Sequence, residues 1–267
     1  EDLLVVGELG LNGEVCPVSG ILPVVLEAKN VASEPWFRDI SFKVRAGEIV
    51  GFTGLLGDGR SELFQTLFGA MGGYTGALEV GGKPVAISST TQAYELGIGY
   101  VPRNRKENGI VKDMSILENG SLVTLRHERR GPLLDHGRIT EEFERQKREL
   151  RIKMGANGDL ITSLSGGNQQ KVVLAKWLSA NPRVLIFDNP TQGVDVGAKE
   201  EIYDIILKLA ARGVAIVILS SEAQEIIRLC DRALIMYHGV IAGELSSDEM
   251  DEQVMMHMAA SGEAARK

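Results

Sequence analysis

Two glycine-rich turns, each placed to open a helix, hold the residues of this chain whose types and spacing could do chemistry. The first is Gly54-Leu55-Leu56-Gly57-Asp58-Gly59-Arg60-Ser61, between the apolar run Glu48–Thr53 and a helix-forming run beginning at Glu62. Glycines allow backbone N–H groups to approach an anion, a helix N-terminus adds the positive end of its dipole, and a serine hydroxyl can face a divalent cation. The spacing is that of the phosphate-loop pattern G-x-x-x-x-G-K-[ST], with Arg60 in place of lysine. Arg60 keeps the charge but presents it as a planar fork, so its geometry toward a terminal phosphate must differ. The second turn is Leu164-Ser165-Gly166-Gly167-Asn168-Gln169-Gln170-Lys171-Val172, opening a helix expected over Asn168–Ala180. Downstream, Val184-Leu185-Ile186-Phe187 reads as a buried strand that ends on Asp188, putting a carboxylate at the carboxyl edge of a sheet.

On these residues the chain resembles the ATP-binding cassette (ABC) ATPases. Leu164–Val172 resembles their signature loop, in the wording found in sugar importers, and Gly54–Ser61 their phosphate loop in altered form. The match continues through Pro190-Thr191-Gln192-Gly193-Val194-Asp195-Val196-Gly197-Ala198-Lys199 and covers roughly Val24 to Leu245. Three features narrow it to the C-terminal, second and degenerate cassette of ribose/galactose-type monosaccharide importers: Arg60, the N-Q-Q-K after the signature, and the G-V-D-V-G-A-K after Asp188. The resemblance implies ATP and Mg²⁺ as ligands. Gly54, Leu55, Leu56, Gly57, Asp58, Gly59, Arg60, Ser61 and Glu62 would surround the phosphates, and Ser61 and Asp188 would hold the metal. Ser165, Gly166 and Gly167 would act in trans, on the nucleotide of a partner cassette. Asp195 would cross the dimer interface, or serve as the N-cap of the following helix. Trp36 or Phe37 would stack on adenine, with core packing as the alternative.

Four positions depart from the family pattern. Asn189 stands where a glutamate polarises the attacking water, and an amide cannot accept a proton at neutral pH. The general-base contribution, typically about 10²–10⁴-fold, is therefore expected to be missing. Ser221 stands where a histidine contacts the γ-phosphate, Arg103 where many cassettes have glutamine, and Arg60 where they have lysine. An intact signature beside impaired phosphate chemistry implies two unequal halves, with this half completing the working site of the other. The resemblance names the partners: the first ABC cassette of the same polypeptide, integral membrane permease subunits and, indirectly, a periplasmic or lipid-anchored sugar-binding protein. It places the chain in the cytoplasm, peripheral on the inner face of the membrane. The alternatives are a nucleotide-sensing module that never hydrolyses, or a soluble ABC ATPase without a membrane partner. Members of that last class carry coiled-coil or basic insertions, which this chain lacks.

The elements that must position these residues are read from pattern. In 267 residues, 44% hydrophobic and 24% charged, the chain is an ordinary globular sequence long enough for a full core. Lys and Arg number 29 against 36 Asp and Glu, so there is no global field to attract nucleic acid, and no such partner is expected for Arg103-Asn104-Arg105-Lys106. No apolar run approaches the ~20 residues needed to span a bilayer. Cys16 and Cys230 lack metal-ligand spacing. After the signature, strands and helices alternate, which argues a parallel sheet flanked by helices. The expected fold is α/β: a P-loop NTPase (ABC ATPase) core with a mostly parallel sheet, a small antiparallel β subdomain and an inserted helical subdomain over about 104–165. Residues 1–23 read as a linker from a preceding domain, 24–245 as the nucleotide-binding domain, and 246–267 as a terminal helix with a disordered tail. Within the insert, helices are expected over Met114–Leu125 and Ile139–Met154.

Overall fold

The computed structural model describes residues 7–9, 15–17, 22–130 and 133–263. Inside the stretch expected to be linker, β1 (Gly7–Leu9) pairs antiparallel with β2 (Val15–Pro17). Residues 1–6, 10–14 and 18–21, and the last part (264–267) of the tail expected after the terminal helix, lie outside the described residues.

From Val24 the chain alternates inward apolar and outward polar residues, as a strand with one buried face must. β3 (Val24–Ser33) and β4 (Phe37–Arg45) pair antiparallel, and the fully buried β5 (Ile49–Gly54) then runs into the phosphate-loop segment and α1 (Arg60–Leu67). β6 (Thr75–Val80) and β7 (Lys83–Val85) complete a four-stranded antiparallel lobe in the order β4-β3-β6-β7. The rings of Phe42, Phe52 and Phe64 meet with centroids 4.7–5.4 Å apart. They pin β4, β5 and α1 to one another directly behind the phosphate-loop segment. α2 (Thr90–Glu95), capped by Ser89, leads to β8 (Ile98–Val101).

The insert begins with a π-helical turn, Arg105–Gly109. α3 (Ile116–Ser121) has a full capping box from Ser115 and Glu118, but it is shorter than the expected Met114–Leu125. The Ser121 hydroxyl bonds back to the Leu117 carbonyl, and the chain continues in turns. A two-residue ladder, β9 (Arg129–Arg130) with β10 (Leu133–Leu134), precedes α4 (His136–Glu149). α4 starts three residues before the expected Ile139, because Asp135 accepts from the Arg138 N–H and caps it there. It stops at Glu149, short of Met154, as Arg151 enters the left-handed region with φ +52°. The charged residues of Glu141–Arg151 form its solvated face, with Glu142–Arg145 and Glu144–Lys147 pairs one turn apart.

α5 (Gly166–Leu178), β11 (Val184–Asp188), α6 (Val196–Ala211), β12 (Ala215–Leu219), α7 (Ala223–Leu229), β13 (Arg232–Tyr237), β14 (Val240–Ser246) and α8 (Glu252–Ser261) complete the fold. The main sheet has the order β14-β13-β5-β12-β11-β8, parallel throughout except for the β13–β14 edge pair. Apolar clusters cover both of its faces, which a parallel sheet requires. Strand register fixes where the loops emerge. Asp188 lies opposite Leu219, Leu219 opposite Phe52, and Phe187 opposite Val101. The segments leaving β5, β8, β11 and β12 therefore come out together at one edge, where open α/β sheets bind ligands. Among the described residues no helix is long and apolar enough to cross a membrane.

One buried cation marks the join between α5 and the insert. Lys176 is buried, and its Nζ donates to the Gly109 carbonyl at 2.6 Å. Burial pulls the ammonium down from 10.5 to about 8. Below pH 8 both folded and unfolded chains carry the proton, so the full burial cost applies; from about 8 to 10.5 only the unfolded chain holds it, and stability rises with pH. Lys176→Met is expected to flatten that alkaline rise in denaturant-melt stability across the same window.

Candidate nucleotide site

The phosphate-loop segment folds as its glycines permit. Gly57 and Gly59 take φ of +81° and +94°, so the chain turns sharply before α1. A Cβ at Gly59 would meet the Trp36 carbonyl oxygen at 2.5 Å, and one at Gly239 would meet the same oxygen at the same distance. The Gly239 N–H donates to the Asp58 carbonyl at 3.0 Å, while the Gly239 carbonyl accepts from the Arg38 N–H at 2.9 Å. The antiparallel lobe, the β13–β14 turn and the loop are thus joined by backbone. Trp36 is exposed beside the loop, whereas Phe37 is buried in the core, which removes Phe37 as an adenine-stacking residue. Leu55 and Leu56 are exposed at the loop tip.

The loop also has an internal occupant. Asp58 and Arg60 are both buried. The Asp58 carboxylate accepts from the Arg60 N–H at 3.1 Å with one oxygen and pairs with the Arg60 guanidinium through the other. Arg60 Nη1 also donates to the Gly54 carbonyl at 3.0 Å. The guanidinium therefore lies folded into the loop. Burial raises the Asp58 pKa from its ordinary value, against the lowering effect of Arg60. Arg60 Nε is buried without an acceptor, so the site has unused donor capacity of the kind a phosphate oxygen satisfies.

At the neighbouring strand end, Asp188 is buried and fully engaged. Tyr100 donates its hydroxyl to Oδ2 at 2.9 Å, while Oδ1 accepts from the Ser61 hydroxyl at 3.3 Å and from the Asn189 amide at 2.8 Å. Ser61 and Asp188, singled out in sequence from segments more than a hundred residues apart, are in contact. A hydroxyl and a carboxylate are the oxygen donors a hard divalent cation takes. Asn189 has the left-handed φ of +46°, which Asn tolerates better than most residues. Its carbonyl oxygen faces the N–H and hydroxyl of Ser221, each at 3.4 Å. The positions expected to hold base and γ-phosphate contact therefore touch each other as an amide and a hydroxyl, and neither is a proton acceptor suited to activating water. Arg103 is exposed and turned onto the Gln192 side chain at 2.8 Å.

The signature segment is a capped helix start. Ser165 is the N-cap of α5, its oxygen accepting from the Asn168 side-chain amide at 3.0 Å, and Asn168 in turn accepts from the Lys153 N–H at 2.8 Å. With its oxygen so used, the exposed Ser165 hydroxyl is free to donate outward. Gly167 is packed on α6: a Cβ there would lie 2.6 Å from that of Ala198. Asp195 caps α6, accepting from the Ala198 N–H at 2.9 Å. Sequence reasoning missed Tyr100 and Asn168. Tyr100 lies in an apolar strand where an aromatic needs no special explanation, and only the β8–β11 register reveals its partner.

Residues 37–192 match the family described as ABC transporter. The chain belongs to the ABC transporter family. Its cassette fold is that of solved relatives. A nucleotide-free ATP-binding cassette from an ABC transporter superposes with TM-score 0.72 at 21% identity, covering 84% of this chain and 91% of that one. The dimeric bacterial cassette MJ0796 does so with TM-score 0.71 at 21% identity, covering 83% and 98%. In sequence, the cassette is 44% identical over 236 residues to the ribose import ATP-binding protein RbsA of Ruegeria sp. strain TM1040, covering 88% of this chain and 46% of that protein. The RbsA of Bacillus subtilis strain 168 is 43% identical over 238 residues, covering 89% and 48%. The chain thus spans about half the length of the curated relatives it matches. Members of the family bind ATP, typically with Mg²⁺.

Removing the Tyr100 hydroxyl tests the carboxylate network without reshaping the core. Tyr100→Phe is expected to cost about 1.5–3 kcal/mol, the usual size for a hydrogen bond to a charged group. Urea melts at neutral pH measure it, and no loss would mean that Asp188 is held by Ser61 and Asn189 alone.

Proposed function

We propose that this cassette is the second, C-terminal ATP-binding half of an importer for ribose or a related monosaccharide, and that its signature loop completes the working site of the first cassette on the same polypeptide. Its own phosphate site is impaired in hydrolysis. The contrast between two loops carries this reading. Ser165 is exposed at a helix N-terminus, its oxygen accepting from Asn168 and its hydroxyl proton left to donate, a disposition suited to a phosphate oxygen. The cassette's own site pairs Asn189 with Ser221 and fills the phosphate loop with Asp58. The import role is drawn from relatives named as ribose import ATP-binding proteins, and their length leaves room for another cassette. Membrane permease subunits would then be the direct partners, with a sugar-binding protein acting through them at the opposite membrane face. The cassette would lie peripherally on the cytoplasmic side.

In this scheme ATP and Mg²⁺ would sit against Gly54–Glu62, with Ser61 and Asp188 on the metal side and exposed Trp36 on the adenine side. Mg²⁺ would supply charge neutralisation between the phosphates. The chain's own contribution would be to orient: Tyr100 and Asn189 hold Asp188, and the loop N–H groups hold phosphate oxygens. Nucleotide must compete with Asp58 for Arg60, so weak binding is expected. A nucleotide-sensing module that never hydrolyses shares these features, and ATP turnover in the assembled protein separates the two readings.

The isolated chain is expected to hydrolyse ATP near background. Rapid turnover abolished by Asp188→Ala would overturn the impairment. Asp58→Ala is expected to tighten Mg-ATP binding to the chain by roughly tenfold, about 1.4 kcal/mol, by releasing Arg60 and removing a like charge from beside the polyphosphate. Titration calorimetry at millimolar nucleotide reads this shift.

The assignment of roles is tested by two variants of the two-cassette ATPase. Ser165→Asp keeps a good N-cap while replacing a donor by a negative charge, and is expected to lower turnover by about 10²–10³-fold. Asn189→Gly, which keeps the left-handed backbone, is expected to cause a far smaller loss. The reverse ranking would invert the proposed roles.

A further inference from the structure

The turn after β8 contains a buried arginine that takes no part in the phosphate site. Arg105 opens the π-helical turn, and its guanidinium donates Nη1–H to the Gln192 carbonyl at 2.9 Å and Nη2–H to the Gly193 carbonyl at 3.0 Å. Two successive carbonyls can face one planar fork here because Gly193 has φ +67°. On its other side the guanidinium lies under the signature loop. A Cβ at Gly166 would stand 2.5 Å from Arg105 Nη2 and 3.3 Å from the Gly193 carbonyl. Gly166 is therefore the residue that leaves room for the arginine head. The base of the turn is fixed as well. Lys176 of α5 holds the Gly109 carbonyl, and a Cβ at Gly109 would press on Val173 of α5 and on Arg105 itself.

We infer that Arg105 is the positioning residue that holds the signature loop, Ser165–Gly167, and the interface segment, Gln192–Asp195, as one unit. This rests on the signature acting on a partner's nucleotide. Lysine cannot substitute, since a single ammonium on a flexible stem lacks the fork that meets both carbonyls in a plane. The charge matters in addition to the geometry. A guanidinium beneath Gly166 adds positive potential at the N-terminus of α5, where the helix dipole is already positive. That arrangement is unfavourable for the isolated helix end and favourable once an anion faces Ser165. Arg105 Nε is buried without an acceptor, so the side chain is held there by the two carbonyls and by packing.

The experiment compares Arg105→Ala and Arg105→Lys in the chain and in the two-cassette ATPase. In the chain, amide hydrogen exchange is followed for peptides covering 163–169 and 189–198, with 184–188 as the control. Arg105→Ala is expected to speed exchange in both loops by roughly 10²–10⁴-fold, the scale of two lost charge-assisted hydrogen bonds, while the control peptide stays protected. Arg105→Lys is expected to recover little of that protection, and millimolar methylguanidinium is expected to restore it to the alanine variant. In the two-cassette ATPase, Arg105→Ala is expected to lower kcat with little change in KM for ATP, and methylguanidinium to restore it. Unchanged exchange in both loops, or full function in Arg105→Lys, overturns the inference. Faster exchange in both loops with kcat intact supports the coupling of the loops and counts instead against the trans role of the signature.

Discussion

A single buried carboxylate organises the edge of this sheet. Asp188 has both oxygens occupied by hydrogen bonds from Tyr100, Ser61 and Asn189, which come from β8, α1 and the loop after β11. A buried charge without partners would be several kcal/mol too costly to keep. The parallel register supplies those partners, since it delivers the ends of β5, β8, β11 and β12 to the same place. The phosphate loop and the segments after β8, β11 and β12 are then located by the ends of those strands around Asp188. The Ser61 hydroxyl comes from the phosphate loop, and the Asn189 side chain leads on to Ser221.

Much of the fold was legible in the sequence because strand and helix periods differ, and because buried parallel strands read as unbroken apolar runs. The strand ending on Asp188 has the bounds expected of it, and the alternation of strands and helices expected after the signature runs from β11 through β13. Boundaries failed where tertiary contacts decide them. α3 is cut short by a serine that bonds backward, and α4 is moved by its aspartate cap. The approach of α3 to α4, where the Phe143 ring packs against Gly120, has no local signature at all. In the site, Ser61 was singled out by the phosphate-loop spacing, Asp188 by the apolar run it ends, and Ser165 by the resemblance of its loop. None of these signals revealed that Asp58 would turn inward onto Arg60, because a residue's effect inside a tight loop depends on φ and ψ values that a motif does not record. Tyr100, Asn168 and Arg105 escaped for a related reason: each acts through a partner distant in sequence or through a backbone carbonyl, and neither leaves a pattern.

The two glycine-rich turns place like residues in unlike electrical settings. In the phosphate loop an acid and a base neutralise one another within three residues, so the turn offers an incoming anion little net field. At the signature, the helix end is unopposed by any acid of its own turn and has Arg105 behind it. The two turns thus differ in local charge: one carries an internal Asp58–Arg60 pair, the other has Arg105 beneath it and no acid in the first turn of its helix.

The Trp36 carbonyl, lodged between Gly59 and Gly239, has a mechanical meaning. Gly239 is bonded on one side to Arg38 and on the other to the Asp58 carbonyl, so it works as a rivet through three layers: lobe, turn and phosphate loop. Neither glycine leaves space for slippage at that point. A torque applied to the antiparallel lobe is delivered to Asp58 and Gly59 without a compliant joint between them. Lobe, turn and phosphate loop are thus joined at this point through backbone alone, which leaves no side chain there to absorb a displacement.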